Sequence, residues 1–383
     1  MNNKSERKKK IIKALLKKKK DELRICIIGA GHGGLAMAAH LAIKGFSVNL
    51  FNRTKGHIKA LLKGERKIKV EGKVEGFGKI KLATNDIKEA IKGVDIIMVV
   101  VPANGHEWVA RACAPYIREE QIVVLNPGRT GGALEFLRTL QKTEVEELPF
   151  IAEAQTFLYA SRKLGPAHAK IFAVKNAVPL ATIPAHWIPG VVKVINRIFP
   201  QFAPGDNVFK TSFNNIGAIF HPALTVLNAA WIEQTHGNFD YYIEGASPSI
   251  TKVLEVLDKE RVSVAGALGF RAMSARIWLY TAYSATGKNL HEAILANPGY
   301  ENIKAPDRLN HRYIDEDVPM SLVPIASIGD MLKVPTPYIK SIIRIASVMR
   351  GKDFWKTGRT VEKLGIKGMS IEQIRLLAVK GEI

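Results

Sequence analysis

The stretch from residue 24 to residue 54 constrains the fold of this 383-residue chain more than any other part. A short apolar run is followed at once by the glycine-rich turn G-A-G-H-G-G at 29–34, then by a helical stretch and a second apolar run. In such a turn Gly29 permits the tight bend, Gly31 lets the backbone approach a pyrophosphate, and Gly34 lets the helix pack closely on the strand. The amino terminus of the helix adds free N–H groups and the positive end of a dipole. This order predicts a Rossmann-type unit that binds a dinucleotide; the alternative is a glycine-rich loop without a ligand.

The three residues after the second apolar run indicate which dinucleotide is bound. Many NAD sites carry Asp or Glu there, and the carboxylate holds the ribose 2′-hydroxyl. This chain has Asn52, Arg53 and Thr54 instead. A carboxylate would repel a 2′-phosphate, whereas Arg53 can donate charged hydrogen bonds to it, and Asn52 and Thr54 can add neutral ones. The alternative is a polar loop that accepts either cofactor. We therefore predict that NADP(H) is preferred and that NAD(H) is possible.

Alternating helices and strands continue after Thr54, as expected for an α/β domain. Unbroken apolar runs at 94–101 and 121–125 are typical of parallel strands covered on both faces. The loops after these two runs contain Pro102 and the pair Asn126 and Pro127, which we expect at the carboxyl ends of strands, where the cofactor binds. The other predicted elements are helices at 55–63 and 86–92, a helix ending at 117, a hairpin insertion at 70–82, and strands at 149–156 and 170–174 that finish the sheet.

The character of the sequence changes near residue 190. The segment Pro184–Gly190 contains proline and glycine and reads as a domain linker. Beyond it the periodicities are helical, with predicted helices at 191–199, 211–235, 249–267, 275–285, 318–332, 336–349 and 370–380. We therefore predict three parts: a basic amino-terminal extension at 1–22, a Rossmann domain at 23–186, and a mostly α-helical second domain at 191–383.

Of the formal net charge of +21, residues 1–20 supply +9, with ten Lys or Arg against one Glu, and the remaining +12 is spread over the other 363 residues. Four aliphatic residues between positions 11 and 16 give this segment a narrow apolar stripe at helical spacing. We predict a solvated helix; contact with an anionic membrane or with nucleic acid is the alternative. The segment has neither the apolar core nor the cleavage site of a secretory signal.

Composition places the chain among globular proteins, because 47% of its residues are hydrophobic and no uninterrupted apolar stretch reads as a membrane span. The uncharged region 211–232 is interrupted by Asn, His and Pro, so we predict buried helix there. The two cysteines, Cys26 and Cys113, suggest a reducing compartment without disulfides, and neither has the spacing of a metal site. We expect a cytoplasmic protein with small-molecule substrates, no metal and no specific nucleic-acid partner.

Two stretches of the second half could supply the proton donor and the cation that a hydride-transfer enzyme needs. His221 stands in an uncharged setting before Pro222, where it could also be a structural histidine. The polar stretch 310–319 contains Arg312 and Asp317. For Asp317 the alternative is an amino-terminal helix cap, since a proline follows two residues later.

These motifs, taken together, resemble the opine dehydrogenase family, which includes octopine and nopaline dehydrogenases. The resemblance runs over nearly the whole chain except the basic leader. It rests on the glycine turn, Asn126-Pro127-Gly128, the segment from Asn215 to Pro222, Arg312-Tyr313 with Glu316-Asp317-Val318-Pro319, and Gly358-Arg359-Thr360 with Leu364-Gly365. It implies a helical second domain related to that of 6-phosphogluconate dehydrogenases.

The resemblance implies an NAD(P)H-dependent reductive condensation of an amino acid with a 2-oxo acid through an imine. Carried over to this sequence, it makes His221 the general acid/base, with Asp317 orienting the ring, and Arg312 the group that binds a substrate carboxylate. Asn214 and Asn215 would orient substrate or nicotinamide, with Asn215 in the substrate site; helix capping is the alternative for both. A carboxylate partner raises the pKa of a histidine, and Arg binds carboxylates bidentately, so the residue types suit these roles. Apolar helices in the second domain would suit a homodimer.

Two other functions remain open at this point. One is a different two-domain NADP-dependent reductase, resembling ketopantoate reductase or glycerol-3-phosphate dehydrogenase, whose chemistry commonly uses an active-site Lys in the helical domain. The other is a non-enzymatic NADP-binding regulator that uses the basic leader to contact nucleic acid or membrane.

Overall fold

The computed structural model describes residues 2–143 and 145–381, which divide into two compact units. The sheet unit contains the described residues up to Gly128, residues 132–211 and the chain from Leu376 onward; the helical unit contains Arg129–Gly131 and Ser212–Arg375. The predicted order of an α/β part and a helical part is thus present. The boundary falls near 211, however, and not in the predicted linker at 184–190.

The sheet unit is built on an eight-stranded sheet in the order β12-β11-β8-β7-β6-β1-β2-β5. All neighbouring pairs are parallel except β11 with β8. The four central strands β1, β6, β7 and β8 are apolar and buried along most of their length, as expected for strands covered on both faces. The strands of the chain are β1 Arg24–Ile28, β2 Ser47–Phe51, β3 Lys67–Gly72, β4 Gly76–Lys79, β5 Leu82–Thr84, β6 Ile96–Val99, β7 Ile122–Leu125, β8 Phe150–Ala154, β9 Tyr159–Gly165, β10 His168–Val174, β11 Val178–Ile183 and β12 Phe202–Pro204.

The helices that precede Ser212 alternate with these strands, and several begin where the sequence indicates. The helix after the glycine turn begins at His32, and Asp86 caps the helix that follows it by accepting hydrogen bonds from two backbone N–H groups. They are α1 Asn2–Lys17, α2 His32–Ile43, α3 Lys55–Lys63, α4 Ile87–Ile91, α5 His106–Cys113, α6 Gly132–Gln141, α7 Ile188–Ile195 and α8 Val208–Phe213, the last of which continues into the helical unit.

A separate four-stranded sheet, in the order β4-β3-β10-β9, corrects two predictions. The hairpin predicted at 70–82 exists as β3 and β4, but β3 also pairs in parallel with β10. The strand predicted at 170–174 therefore belongs to this accessory sheet, and β11 and β12 complete the main sheet instead. The cause is a pairing between segments about a hundred residues apart, which local patterns do not reveal. The accessory sheet packs against α2, and a Cβ on Gly78 would overlap the backbone of Ala39.

The basic leader is not the solvated helix that we predicted from its charge. In α1 the apolar stripe is covered: Ile12 and Leu15 are buried. Lys8 Nζ donates to Glu119 O at 3.0 Å, and Arg197 donates to Leu15 O at 2.6 Å. Burial lowers the pKa of Lys8 to about 8. The leader is therefore part of the sheet unit, held by apolar packing and by polar contacts such as the ion pair of Lys18 with Asp95.

The segment predicted as a linker, Pro184–Gly190, is also part of the sheet unit. It forms a 3₁₀ turn at Ala185–Trp187 and the start of α7, with Pro189 in the first helical turn, where a proline fits without losing a hydrogen bond. The strand β12 follows it and pairs with β11. Proline and glycine here mark a helix start, which is why they read as a boundary.

The helical unit contains the helices α9 Gly217–Leu227, α10 Ala229–Thr235, α11 Pro248–Ala267, α12 Ala275–Tyr283, α13 Leu290–Leu295, α14 Arg312–Asp315, α15 Val323–Met331, α16 Pro337–Arg350, α17 Phe354–Thr357, α18 Val361–Leu364 and α19 Ile371–Lys380, the last of which continues into the sheet unit. The helix predicted at 211–235 is divided into α8, α9 and α10. The one predicted at 318–332 begins as a wider π turn at Val318–Leu322. Among the described residues, no helix has both the length and the apolar character of a membrane span.

Candidate active site

The glycine turn of the sheet unit has the geometry of a dinucleotide site. Gly29 has a φ of +113°, a conformation that favours glycine, and a Cβ there would overlap the carbonyl of Val100. A Cβ on Gly34 would overlap the carbonyl of Gly29, so this glycine is what allows α2 to lie so close to the turn. A Cβ on Gly31, in contrast, would meet no atom of the described residues within 4 Å beyond its chain neighbours, so this face is open. The turn is thus closed on the protein side and open where a pyrophosphate would bind.

At the tip of β2, the side chain of Asn52 forms hydrogen bonds to the backbone of the protein. Its Oδ1 accepts a hydrogen bond from Ala30 N at 3.0 Å, and its Nδ2 donates to Thr54 O at 3.3 Å. Asn52 therefore joins the glycine turn to the end of β2, and its amide is engaged there rather than free for a ribose. The guanidinium of Arg53 is exposed and lies 5.2 Å from the ring centre of Trp108. Of the three predicted residues, Arg53 is the one whose charged group is available to a ligand.

Pro102 and Asn126 occupy the loops after β6 and β7, as the sequence predicts. Pro102 precedes a short 3₁₀ turn, and Asn126 is followed by a cis peptide bond to Pro127. The Asn126 amide donates to Val124 O at 2.9 Å, while its Oδ1 is buried and accepts no hydrogen bond from the described residues. A buried acceptor without a donor costs free energy until it is satisfied. Together with the open glycine turn, it fits a bound dinucleotide.

His221 and Asp317, which are 96 residues apart in the chain, form a direct pair in the helical unit. His221 lies in α9, and its Nδ1 is 2.9 Å from Oδ2 of the fully buried Asp317. Asp317 makes no capping hydrogen bond at the π turn that it precedes, so the alternative of a helix cap does not describe its side chain. With Nδ1–H donated to a carboxylate, Nε2 is the nitrogen that can exchange a proton.

Two further residues, Arg129 and Glu316, extend this pair into a network. Arg129 Nη1 is 2.8 Å from Asp317 Oδ1, and its Nε is 3.3 Å from Glu316 Oε1. Glu316 Oε2 in turn lies 3.0 Å from Nε of Arg312. Arg129, Asp317 and Glu316 are buried, whereas the Arg312 side chain is 51% exposed. Three of the four predicted site residues of the helical unit, His221, Arg312 and Asp317, are thus brought together, and of these Arg312 presents its charged group to solvent.

No role was predicted for Arg129, and Glu316 was named only as part of the family motif. Arg129 lies within the predicted loop at 126–132, but its partner Glu316 is 187 residues away. An Arg inside a loop between apolar elements was the available signal, because a buried guanidinium requires carboxylate partners.

The surroundings of His221 set its protonation. Burial lowers the pKa of His221 below its ordinary value; Asp317 acts in the opposite direction, and the charges of Arg129 and Arg312 lower the pKa further. The sequence-based expectation that a carboxylate raises this pKa describes one contribution, but burial outweighs it. For Arg129, burial disfavours the cation, yet Asp317 and Glu316 prevail and raise its pKa. Burial and the two guanidinium groups thus favour the neutral imidazole, whereas Asp317 favours the imidazolium.

Aromatic rings enclose the imidazole. The ring of Tyr313 stacks on His221 with 4.2 Å between centres, and Tyr241 stacks on Tyr313 at 5.3 Å. The hydroxyl of Tyr241 donates to the His221 carbonyl at 2.8 Å.

Asn215, the fourth predicted residue of the helical unit, is buried in the loop before α9. The Oδ1 of its neighbour Asn214 accepts a hydrogen bond from Met273 N.

Comparisons with known proteins agree with both halves of this arrangement. Residues 204–350 match the family model for the alpha-helical domain of NAD/NADP octopine/nopaline dehydrogenase, and residues 24–149 match that for the amino terminus of NAD-dependent glycerol-3-phosphate dehydrogenase. An opine dehydrogenase from Arthrobacter sp. (strain 1C) is 38% identical over 350 residues, which cover 91% of this chain and 97% of the relative.

Two solved structures share the fold. Octopine dehydrogenase with NADH and L-arginine has a TM-score of 0.75 and 20% identity, covering 94% of this chain and 98% of its own. NADP⁺-bound yersinopine dehydrogenase has a TM-score of 0.73 and 15% identity with the same coverage.

Proposed function

The chain belongs to the opine dehydrogenase family, and from this we propose that it condenses the amine of an amino acid with a 2-oxo acid and reduces the resulting imine. As a member of this family it is an NAD(P)-dependent oxidoreductase. Condensation releases one water and leaves a protonated imine, and hydride addition to its carbon gives the amine with that proton still on nitrogen, so the overall reaction consumes one proton. The product is a secondary amine that carries two carboxylates.

The pairing of the partly exposed His221 with the buried Asp317, beside a half-exposed Arg312, is the observation that carries this proposal. Loss of water during condensation requires a proton on the departing oxygen, and Nε2 of a protonated His221 can donate it. Asp317 holds the ring in one tautomer and stabilises the imidazolium while it is charged. When bound, the reduced nicotinamide supplies the hydride.

Arg312 is the proposed ligand of a substrate carboxylate. Glu316 holds its Nε, which orients the planar guanidinium while much of the side chain stays exposed. A guanidinium fixed in this way binds a carboxylate with two parallel hydrogen bonds. We assign Asn215, buried in the loop before α9, to the same substrate site as a second polar contact.

A two-substrate assay tests the proposed reaction. Purified protein is mixed with NADPH or NADH and with amino acids paired with pyruvate, glyoxylate or 2-oxoglutarate, and the absorbance of the cofactor is followed. We expect oxidation only when both organic partners are present. Oxidation with an oxo acid alone would instead favour a reductase of the ketopantoate type, and no oxidation with any pair would favour the non-enzymatic alternative.

We further propose that NADPH is the preferred cofactor, because the uncharged Asn52 takes the place of a carboxylate that would repel a 2′-phosphate, and the exposed Arg53 follows it. Replacing Arg53 with Glu should lower kcat/KM for NADPH by about 10- to 100-fold, since a charged hydrogen bond contributes ~1.5–3 kcal/mol. The value for NADH should stay the same or rise. Lys59→Glu, the same charge reversal on the exposed face of α3, serves as the control. Equal losses with both cofactors would contradict the assignment.

A homodimer in the cytoplasm is the proposed state of the protein. Several apolar side chains of α16 are exposed, with Val348 at 83%, and a second copy could cover them. Both cysteines are buried free thiols, which suits a reducing compartment. Light scattering on the purified protein tests the assembly; a monomer mass at micromolar concentration would exclude the dimer.

A further inference from the structure

The strand β9 of the accessory sheet lies directly across the glycine turn of the same unit. The backbone N–H of Lys163 donates to His32 Nδ1 at 2.8 Å, and Ser161 Oγ lies 3.4 Å from the His32 carbonyl. Next to His32, a Cβ on Gly33 would overlap the ring of Phe157. These contacts fix the strand against the turn, so its side chains are placed there by the fold.

The side chain of Lys163 reaches the point where the glycine turn joins the tip of β2. Its Nζ is 3.4 Å from the carbonyl of Ala30, whose N–H is bound by Asn52. His57 is close to the same charge: burial lowers the pKa of His57, and the Lys163 cation lowers it further. His57 Nδ1 is 3.2 Å from Asn52 Nδ2. Lys163 and His57 therefore both lie near Asn52, the residue immediately before Arg53.

The ammonium of Lys163 has no carboxylate counter-ion among the described residues. Lys163 is partly buried, and this burial lowers the pKa of its ammonium. A partly desolvated cation without a counter-ion is unfavourable, and a bound anion would relieve that cost. Phosphate groups of a dinucleotide are the anions that such a turn brings to this place.

We propose that Lys163 binds the 2′-phosphate of NADPH and is, with Arg53, a determinant of cofactor choice. The proposal rests on the NADPH preference argued above. The 2′-phosphate is favoured over the pyrophosphate because the ammonium lies beside Ala30 and His57, both in contact with Asn52 at the tip of β2. The accessory sheet, which does not carry the glycine turn, then takes part in selecting the cofactor.

Binding measurements test this without turnover. The full-length protein and its variants are titrated with 2′,5′-ADP, NADPH and NADH by calorimetry. Lys163→Met should weaken 2′,5′-ADP and NADPH by roughly tenfold or more, as for the loss of a charged hydrogen bond, and leave NADH within about twofold. Lys163→Arg should retain most of the affinity. Arg162→Met is the matched control, because the neighbouring strand residue faces the other side of the sheet and its loss removes the same charge.

The outcomes separate this proposal from the one on which it rests. Equal weakening of NADH and NADPH in Lys163→Met would place the ammonium at the pyrophosphate and overturn the assignment, and so would unchanged binding of 2′,5′-ADP. A native protein that binds NADH as tightly as NADPH would count against the proposed preference. The 2′,5′-ADP titration would still decide the role of Lys163. Thermal melting of each variant checks that the fold is kept.

Discussion

Replacing His221 with Asn is expected to lower kcat for the reductive reaction by roughly 10³-fold, within the range found when a general acid or base is lost. The Asn amide can still hydrogen bond to Asp317, which keeps the buried carboxylate paired. It has no nitrogen that exchanges a proton near neutral pH. KM for the cofactor should change little, and initial rates with both organic substrates at saturation provide the measurement.

His311→Asn is a matched control for this variant. The His311 ring contacts the same Tyr313, but burial and the nearby Arg312 charge lower its pKa to about 4, so it carries no proton to donate at neutral pH. It also caps α14, a position where Asn is equally suitable. We expect a loss below about tenfold for this control. If both variants lost activity equally, or if His221→Asn stayed active, His221 would not be the proton donor.

Replacing Asp317 with Asn is expected to lower kcat by about 10²- to 10⁴-fold, as in enzymes whose catalytic His loses its orienting carboxylate. Asn can present its N–H to Nδ1, which would stabilise the wrong tautomer and place the proton of the neutral ring on Nε2. The loss also leaves Arg129 with Glu316 as its one remaining carboxylate partner among the described residues. Steady-state kinetics of the purified variant give the result.

The pH dependence gives the second part of this prediction. The reductive reaction uses protonated His221, so its rate is highest below the pKa of His221 and falls as the pH rises through that pKa. Because burial already lowers the pKa of His221, we expect this falling limb of the pH profile at a pH below the ordinary pKa of histidine in the native protein. Asp317 raises the pKa, so its removal should move the limb to still lower pH. Profiles of kcat/KM for the oxo acid measure the shift.

Glu316→Gln is the appropriate comparison for Asp317→Asn. It also removes a buried carboxylate next to Arg129, but it leaves the His221–Asp317 hydrogen bond in place. Since Glu316 orients Arg312, we expect a higher KM for the carboxylate substrate and a pH limb that hardly moves. An Asp317→Asn profile that matched the native one would show that Asp317 does not act through His221.

Local patterns were sufficient for the nucleotide-binding half of the fold. The glycine turn and the apolar runs around it specify β1, α2 and β2 from neighbouring residues alone, and these elements lie where the sequence predicts them. The accessory sheet was not predicted as such, because β3 pairs with β10 across about a hundred residues. The packing of α1 was missed for a related reason: its charge indicated solvation, and the surface that covers Ile12 comes from distant elements.

In the candidate site, too, some residues could be predicted from the sequence and others depend on contacts between distant parts of the chain. His221, Arg312 and Asp317 were found through motif order, and the structure brings them together through Glu316 and Arg129. Arg129 could not be found in this way, since its role depends on two carboxylates almost two hundred residues away. The sequence identifies the chemical groups, but their charge network is a property of the folded unit.

Transfer of a labelled hydride tests the central claim most directly. The native protein is supplied with NADPH deuterated at the transferred position, an amino acid and a 2-oxo acid, and the products are identified by mass spectrometry. We expect a secondary amine with two carboxylates and one deuterium on the carbon that was the carbonyl of the oxo acid. Far less of this labelled product should form with His221→Asn in the same time. Deuterium in a 2-hydroxy acid, with no secondary amine formed, would contradict the assignment.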